Sequence, residues 1–175
     1  MTTCRHSRPI RNGGSDAVCA AVQRYMKLAP INPGGVIDAD PGDLPGVDAE
    51  VLRAVGSLYD LVGFEPPWIC YIALENDAAV GTCGFKSPPR DGRVEIAYFT
   101  FPGNEGRGLA TRMVGELVAL AKKASPNVSV TAQTLIERSA SHRVLEKIGF
   151  MQIGQVETPD EGPVLEWQEV TSCVA

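Results

Sequence analysis

Apolar residues recur along this chain with two periods, and the switches between them mark out its elements. From Ser15 to Leu28 they fall on one helical face at Ala17, Val18, Ala21, Val22, Tyr25 and Met26, with Ser15 or Asp16 placed to cap the first turn. Prolines and glycines then crowd between Pro30 and Gly46, which predicts a long loop of the kind that often carries function. A second helix follows from Val47 to Val62, with Val51, Leu52, Val55, Leu58, Tyr59 and Val62 inward, Asp48 near its start and Gly63 at its end. Period-two stretches from Trp68 to Leu74 and from Val80 to Phe85 predict antiparallel strands turning at Glu75-Asn76-Asp77.

The next strand, Val94 to Phe101, runs through Gly103, Gly106 and Gly108 directly into a helix whose apolar face is Leu109, Met113, Leu117, Leu120 and Ala124. Beyond it come a strand from Val128 to Gln133 and a short helix from Ser139 to Ile148 that stops at Gly149. A closing hairpin pairs Met151 to Glu157 with Pro163 to Val170 around Pro159-Asp160-Glu161-Gly162. The pattern is that of an α/β fold: a mixed, largely antiparallel sheet flanked by helices, with two N-terminal helices, one parallel pairing across the long helix and a C-terminal β-hairpin.

The strand, glycine turn and helix between Val94 and Met113 make an anion site. The first amides of a helix lack intrahelical acceptors, the helix dipole adds partial positive charge there, and glycines allow close approach of the backbone to a ligand. Two nucleotide motifs are excluded. No Gly-Lys followed by Ser or Thr occurs, and the dinucleotide fingerprint lacks its third small residue, since Thr111 stands there, and its distal acidic residue.

The segment Glu105-Gly106-Arg107-Gly108-Leu109-Ala110 resembles motif A of the GNAT superfamily of acetyl-CoA-dependent N-acetyltransferases at every position but the first, where that family has Gln or Arg. Downstream, Ser139-Ala140-Ser141-His142-Arg143-Val144-Leu145-Glu146-Lys147-Ile148-Gly149-Phe150 is similar to its motif B, a helix ending in Lys-hydrophobic-Gly-Phe. The resemblance runs from about Trp68 to Val170. It implies one N-acetyltransferase domain over 1–175, with 1–65 a helical acceptor-side region and 66–170 the acetyl-CoA-binding core.

Composition fits such a domain. The chain has 175 residues, 44% of them hydrophobic, enough for one sizeable core. Its net charge of −5 argues against a nucleic-acid surface. The cysteines Cys4, Cys19, Cys70, Cys83 and Cys173 are scattered without metal-ligand spacing, so no metal site is expected and reduced thiols in a cytoplasm are the simplest reading. No apolar run approaches a membrane span, and no signal peptide is expected.

The resemblance also implies roles. The pyrophosphate of acetyl-CoA, the acyl donor, would lie on the amides of Glu105, Gly106, Arg107, Gly108, Leu109, Ala110 and Thr111, where a side chain at Gly108 would obstruct it. Arg107 either adds charge to a phosphate or is simply solvated. Glu105 is expected to point outward, away from the pyrophosphate. The oxyanion of the attacked thioester would meet a backbone amide near Phe99 or Thr100, with Phe101 next in the same cofactor-facing stretch. Glu95, on one strand face with Arg93, Ala97, Phe99 and Phe101, matches the acidic base of many members; the alternative is a solvated carboxylate, or one paired with Arg93 or Lys86. Where many members carry a motif B tyrosine as general acid, this chain has Leu145, and Ser141 is the nearest substitute, or else a helix cap or cofactor contact. His142 reads as a solvated surface histidine outside the mechanism. The acceptor would be a small-molecule amine or a peptide N-terminus, with Asp38, Asp40, Asp43 and Asp48 available to attract a cation. A homodimer through exposed strands is left open. Two other readings are a non-catalytic acyl-CoA-binding sensor of the same fold and a scaffold retained for interaction alone.

Overall fold

The computed structural model describes residues 26–37, 47–159 and 161–170. In chain order it holds β1 (Met26–Asn32), a 3-10 turn (Pro33–Gly35), β2 (Val36–Ile37), α1 (Ala49–Val62), β3 (Cys70–Glu75), β4 (Ala78–Phe85), β5 (Arg93–Thr100), α2 (Leu109–Ala124), β6 (Ser129–Leu135), α3 (Ala140–Ile148), β7 (Phe150–Thr158) and β8 (Gly162–Glu169). The strands form one sheet in the order β2-β1-β3-β4-β5-β6-β8-β7. Every neighbouring pair is antiparallel except β5 with β6, the two strands that α2 connects.

The N-terminal region departs from its sequence pattern. Residues 15–25 of the first expected helix lie outside the described residues, but its last three, Met26, Lys27 and Leu28, are strand, paired with Glu75, Leu74 and Ala73 of β3. Part of the expected loop is strand as well, because β1 continues through Pro30 to Asn32 and turns back into β2. Among the described residues β1 pairs at Pro30 with β3 on one side only, since β2 reaches just Ile31 and Asn32, and a strand tolerates proline at such a position. The region before α1 is therefore not wholly helical. Gly35 permits the turn for two reasons: its φ is +75°, and a Cβ there would sit 2.5 Å from the Leu52 carbonyl oxygen of α1.

The remaining elements fall where the pattern places them. Asp48 caps α1 by accepting from Glu50 N at 2.8 Å, and Gly63 ends it. Tyr59 on the buried face of α1 donates to the Ile31 carbonyl at 2.9 Å and accepts from Cys70 N at 2.8 Å, which fixes the helix to β1 and β3 together. The β3–β4 turn has Asn76 at φ +51° and Asp77 at φ +62°, both left-handed as a two-residue type I′ hairpin requires. On the other side of the sheet, Leu109, Met113, Val114, Leu117 and Ala121 of α2 form the buried face of that helix, which packs on β4 and β5 and against α3. Val94 and Ile96 of β5 and Val130 and Ala132 of β6 join them in the core.

Candidate functional site

The parallel ladder between β5 and β6 is short. It pairs Arg93 with Ser129, Val94 with Val130, Glu95 with Thr131 and Ile96 with Ala132, and then it ends. Beyond that point β5 stays with β4 as far as Thr100, while β6 stays with β8 as far as Leu135. The strands diverge and leave a wedge in the middle of the sheet. A cavity of about 380 Å³ occupies it, lined by Tyr98, Phe99 and Thr100 of β5, by 104–106 and 108–111 at the start of α2, and by Ala140, Ser141, Arg143, Val144 and Lys147 of α3.

Strand parity determines which backbone groups face this wedge. Phe101 N donates to Val80 O of β4 at 3.0 Å, and Glu95 O accepts from Lys86 N at 2.9 Å. In an antiparallel ladder the residues between them at odd positions, Ala97 and Phe99, also aim their amides at β4. Tyr98 and Thr100 aim theirs at the side β6 has left. Of the two residues offered as an amide donor, Thr100 therefore faces the wedge and Phe99 does not, and Tyr98 joins it.

The glycine turn supplies the other polar wall. Gly103, Gly106 and Gly108 have φ of +84°, +74° and +75°, and a Cβ at each would meet nothing within 4 Å. Backbone conformation, not crowding, is what these positions require in the ligand-free protein. The first bond of α2 runs from Arg112 N to Gly108 O at 3.2 Å, so the amides of Leu109, Ala110 and Thr111 have no intrahelical acceptor. Its N-cap residue, Gly108, has no side chain with which to cap it. Leu109 is buried and contributes its backbone while its side chain packs in the core.

The other sequence-derived candidates divide. Gly106, Gly108, Ala110, Thr111 and Ser141 border the cavity. Glu105 also borders it, with its carboxylate turned back to accept from Gly103 N at 2.8 Å. Phe101 is buried edge-on to Phe99, at 6.3 Å between ring centres, and does not line the cavity. Arg107 does not line it either: its guanidinium is held by Glu75 and, at 2.7 Å, by Asn104 Oδ1.

Glu95 lies on the opposite face of the sheet, just below the point of divergence, with Lys86 Nζ 2.5 Å from its carboxylate. Of the two partners named for it, Lys86 is the one present, and Arg93 pairs instead with Glu166 at 2.6 Å. Of the four acidic residues near the acceptor side, Asp38, Asp40 and Asp43 lie outside the described residues and Asp48 is the α1 cap.

His142 is not solvated. It is 5% exposed, because β8 brings Trp167 edge-on to its ring at 5.4 Å. Its Nδ1 accepts from Ser139 N at 3.1 Å, completing a capping box at the start of α3. That bond assigns the proton to Nε2, which stands 3.5 Å from Thr134 Oγ1, itself the acceptor of Trp167 Nε1–H at 3.0 Å. Leu145 is fully buried.

Sequence reasoning missed Tyr98. Its hydroxyl crosses the wedge to donate to the Ser141 carbonyl at 3.4 Å, and burial pushes its pKa up, so it stays a neutral donor. The signal was present, since alternation puts Tyr98 with Val94 and Ile96 on the helix-facing side. Arg143 and Lys147, one helical turn apart on α3, were also readable as a basic edge to the cavity. Among the described residues no cluster of potential metal ligands occurs, no helix is long and apolar enough to cross a membrane, and Cys70 and Cys83 are free thiols.

The chain is similar to known acetyltransferases. Residues 35–151 match the family model described as an acetyltransferase (GNAT) domain. No curated protein sequence matches significantly. Among solved structures, the aminoglycoside acetyltransferase AAC(6′)-Ib in complex with coenzyme A superposes with a TM-score of 0.52 at 26% identity, over 59% of this chain and 66% of that one. This chain thus spans just under two thirds of that protein's length. A GNAT-family acetyltransferase from Bordetella pertussis gives 0.53 at 23% identity over 69% and 74% of the two chains. A spermidine N-acetyltransferase chimera involving Vibrio cholerae gives 0.57 at 12% identity over 83% and 95%.

Proposed function

The chain belongs to the GNAT acetyltransferase family, and from that premise we propose that it transfers the acetyl group of acetyl-CoA to a primary amine, on a small molecule or a protein N-terminus, by direct attack. The observation that carries this reading is the divergence of β5 from β6 beside the uncapped start of α2. One cavity then offers an extended backbone edge and a cluster of free helix amides. The donor's pyrophosphate would sit on the amides of 106–111, with Arg143 and Lys147 adding charge. Its thioester carbonyl would accept from the amide of Thr100 or Tyr98 as negative charge develops there. An amine acceptor is supported by the likeness to an aminoglycoside acetyltransferase.

The neutral amine attacks the carbonyl carbon, the C–N bond forms and the C–S bond breaks. The proton lost by nitrogen passes to Glu95, directly or through water, and the leaving thiolate takes one from solvent, either directly or relayed through the hydroxyl of Ser141, which regains a solvent proton as it gives up its own. Glu95 stands across the sheet from the cavity and beside the point of divergence, which suits a base approached from the acceptor side.

A panel of polyamines, amino acids, aminoglycosides and peptides, assayed for acetyl-CoA-dependent release of CoA thiol, tests this function. Expected is turnover with at least one amine, lowered about 10²-fold by Glu95→Gln with acetyl-CoA affinity retained. The pairing of Glu95 with Lys86 and the buried Leu145 favour a second reading, an acyl-CoA sensor. Binding of acetyl-CoA without thiol release for any acceptor would select it.

A further inference from the structure

Glu75 closes β3 immediately before the two-residue turn, and only 4% of it is exposed. Its carboxylate oxygens divide between two guanidinium groups: Oε2 takes Arg107 Nη2 and Oε1 takes Arg112 Nη1. These arginines bracket the start of α2, one in the turn before it and one inside its first turn. Arg107 also donates through Nη1 to Asn104 Oδ1, which ties the front of the same turn. A single buried carboxylate on the β3–β4 hairpin thus holds the glycine turn and the helix start in one arrangement. Neither Glu75 nor the two arginines line the cavity. Burying a carboxylate is costly unless it is paired and hydrogen-bonded, and here both oxygens are satisfied by charged donors.

We propose that Glu75 is a positioning residue for the acyl donor, fixing the backbone amides of 108–111 through Arg107 and Arg112; this rests on the acetyl-CoA reading above. Electrostatics alone argues the opposite sign. The triad carries one net positive charge, and neutralising Glu75 would raise it and free Arg107 toward a phosphate. If preorganisation dominates, the amides must instead be ordered at the moment of binding, and the donor binds more weakly.

Calorimetric titration of wild type, Glu75→Gln and Arg107→Lys with acetyl-CoA and with S-acetylpantetheine, which lacks the pyrophosphate, decides between the two. Each variant is expected to weaken acetyl-CoA binding about tenfold or more and S-acetylpantetheine binding less than about twofold. Should Glu75→Gln fail to fold, Arg107→Lys keeps the positive charge and the Glu75–Arg112 pair but loses the fork that spans Glu75 and Asn104, so electrostatics predicts no loss of acetyl-CoA binding and the variant decides alone. Tighter or unchanged acetyl-CoA binding in either variant overturns the assignment, and so does an equal loss for both donors. Wild type that bound neither compound would overturn the acetyl-CoA reading itself, and the role of Glu75 with it.

Discussion

Gly108 offers the sharpest test of the anion turn, because its two possible functions separate by substitution. It sits at φ +75° with open space where a Cβ would be, so in the ligand-free protein alanine brings backbone strain and no clash. A left-handed alanine costs about 1–2 kcal/mol. At about 2–4 °C per kcal/mol for a chain of this size, Gly108→Ala is expected to lower the melting temperature by about 2–8 °C. Asparagine tolerates the left-handed region, so Gly108→Asn should melt closer to wild type. Both side chains nonetheless stand where the pyrophosphate would meet the amides of α2. Acetyl-CoA binding should therefore fall by about tenfold or more, at least 1.4 kcal/mol, in both variants, although their stabilities differ. Thermal melts without ligand, followed by titration with acetyl-CoA, read the two effects separately. If Gly108→Asn kept wild-type affinity, no ligand would approach this turn, and the reasoning that puts the pyrophosphate there would be refuted.

Two further outcomes follow from buried groups. His142→Ala removes the Ser139 N–H acceptor and the edge contact with Trp167, and is expected to cost about 2–4 kcal/mol in urea unfolding, whereas His142→Gln should recover part of this by restoring the capping box; a loss below about 0.5 kcal/mol for alanine would show that the capping network stabilises nothing. Burial pushes Tyr71 up to about 12 and Cys70 up to about 11, so both bind protons more tightly folded than unfolded, and their contribution, complete below the unfolded values of 10.0 and 9.0, drains away as pH rises through the folded ones. Stability measured by denaturant between pH 9 and 12 should fall with rising pH, and Tyr71→Phe should flatten the slope above pH 10; a slope unchanged by that substitution would rule out Tyr71 as its source.

What the sequence discloses here is local. Asp48 and Gly63 at the ends of α1, the glycines before α2 and Gly149 after α3 state their roles through backbone chemistry within a few residues, and the elements they bound lie close to expectation. The strand β1 was misread because its stability comes from β3, far along the chain, and because Pro30 argues against a strand unless one edge is free. His142 was misread for the same kind of reason, since the residue that buries it, Trp167, arrives from β8. Glu75 looked like part of a turn; its meaning depends on two arginines that only the fold brings beside it. The cavity walls from the turn and from α3 could be read from the two motifs, whereas Tyr98 could be read only through alternation along β5.

The divergence of β5 from β6 gives this sheet an edge in its interior. Unpaired strand edges ordinarily sit at the rim of a sheet, where they template pairing with other chains and have to be shielded. Here the exposed groups, those of Tyr98 and Thr100, lie in a wedge whose floor closes at Ile96 and Ala132 and whose walls are α2 and α3. A strand from another protein would have to bring its side chains into that taper. On the proposed function, the pantetheine arm of acetyl-CoA, an extended chain with two amides and only small substituents, would meet no such obstacle. A feature that would be an aggregation hazard at the rim would then serve, by its location, as a filter for slender ligands that carry their own peptide-like groups.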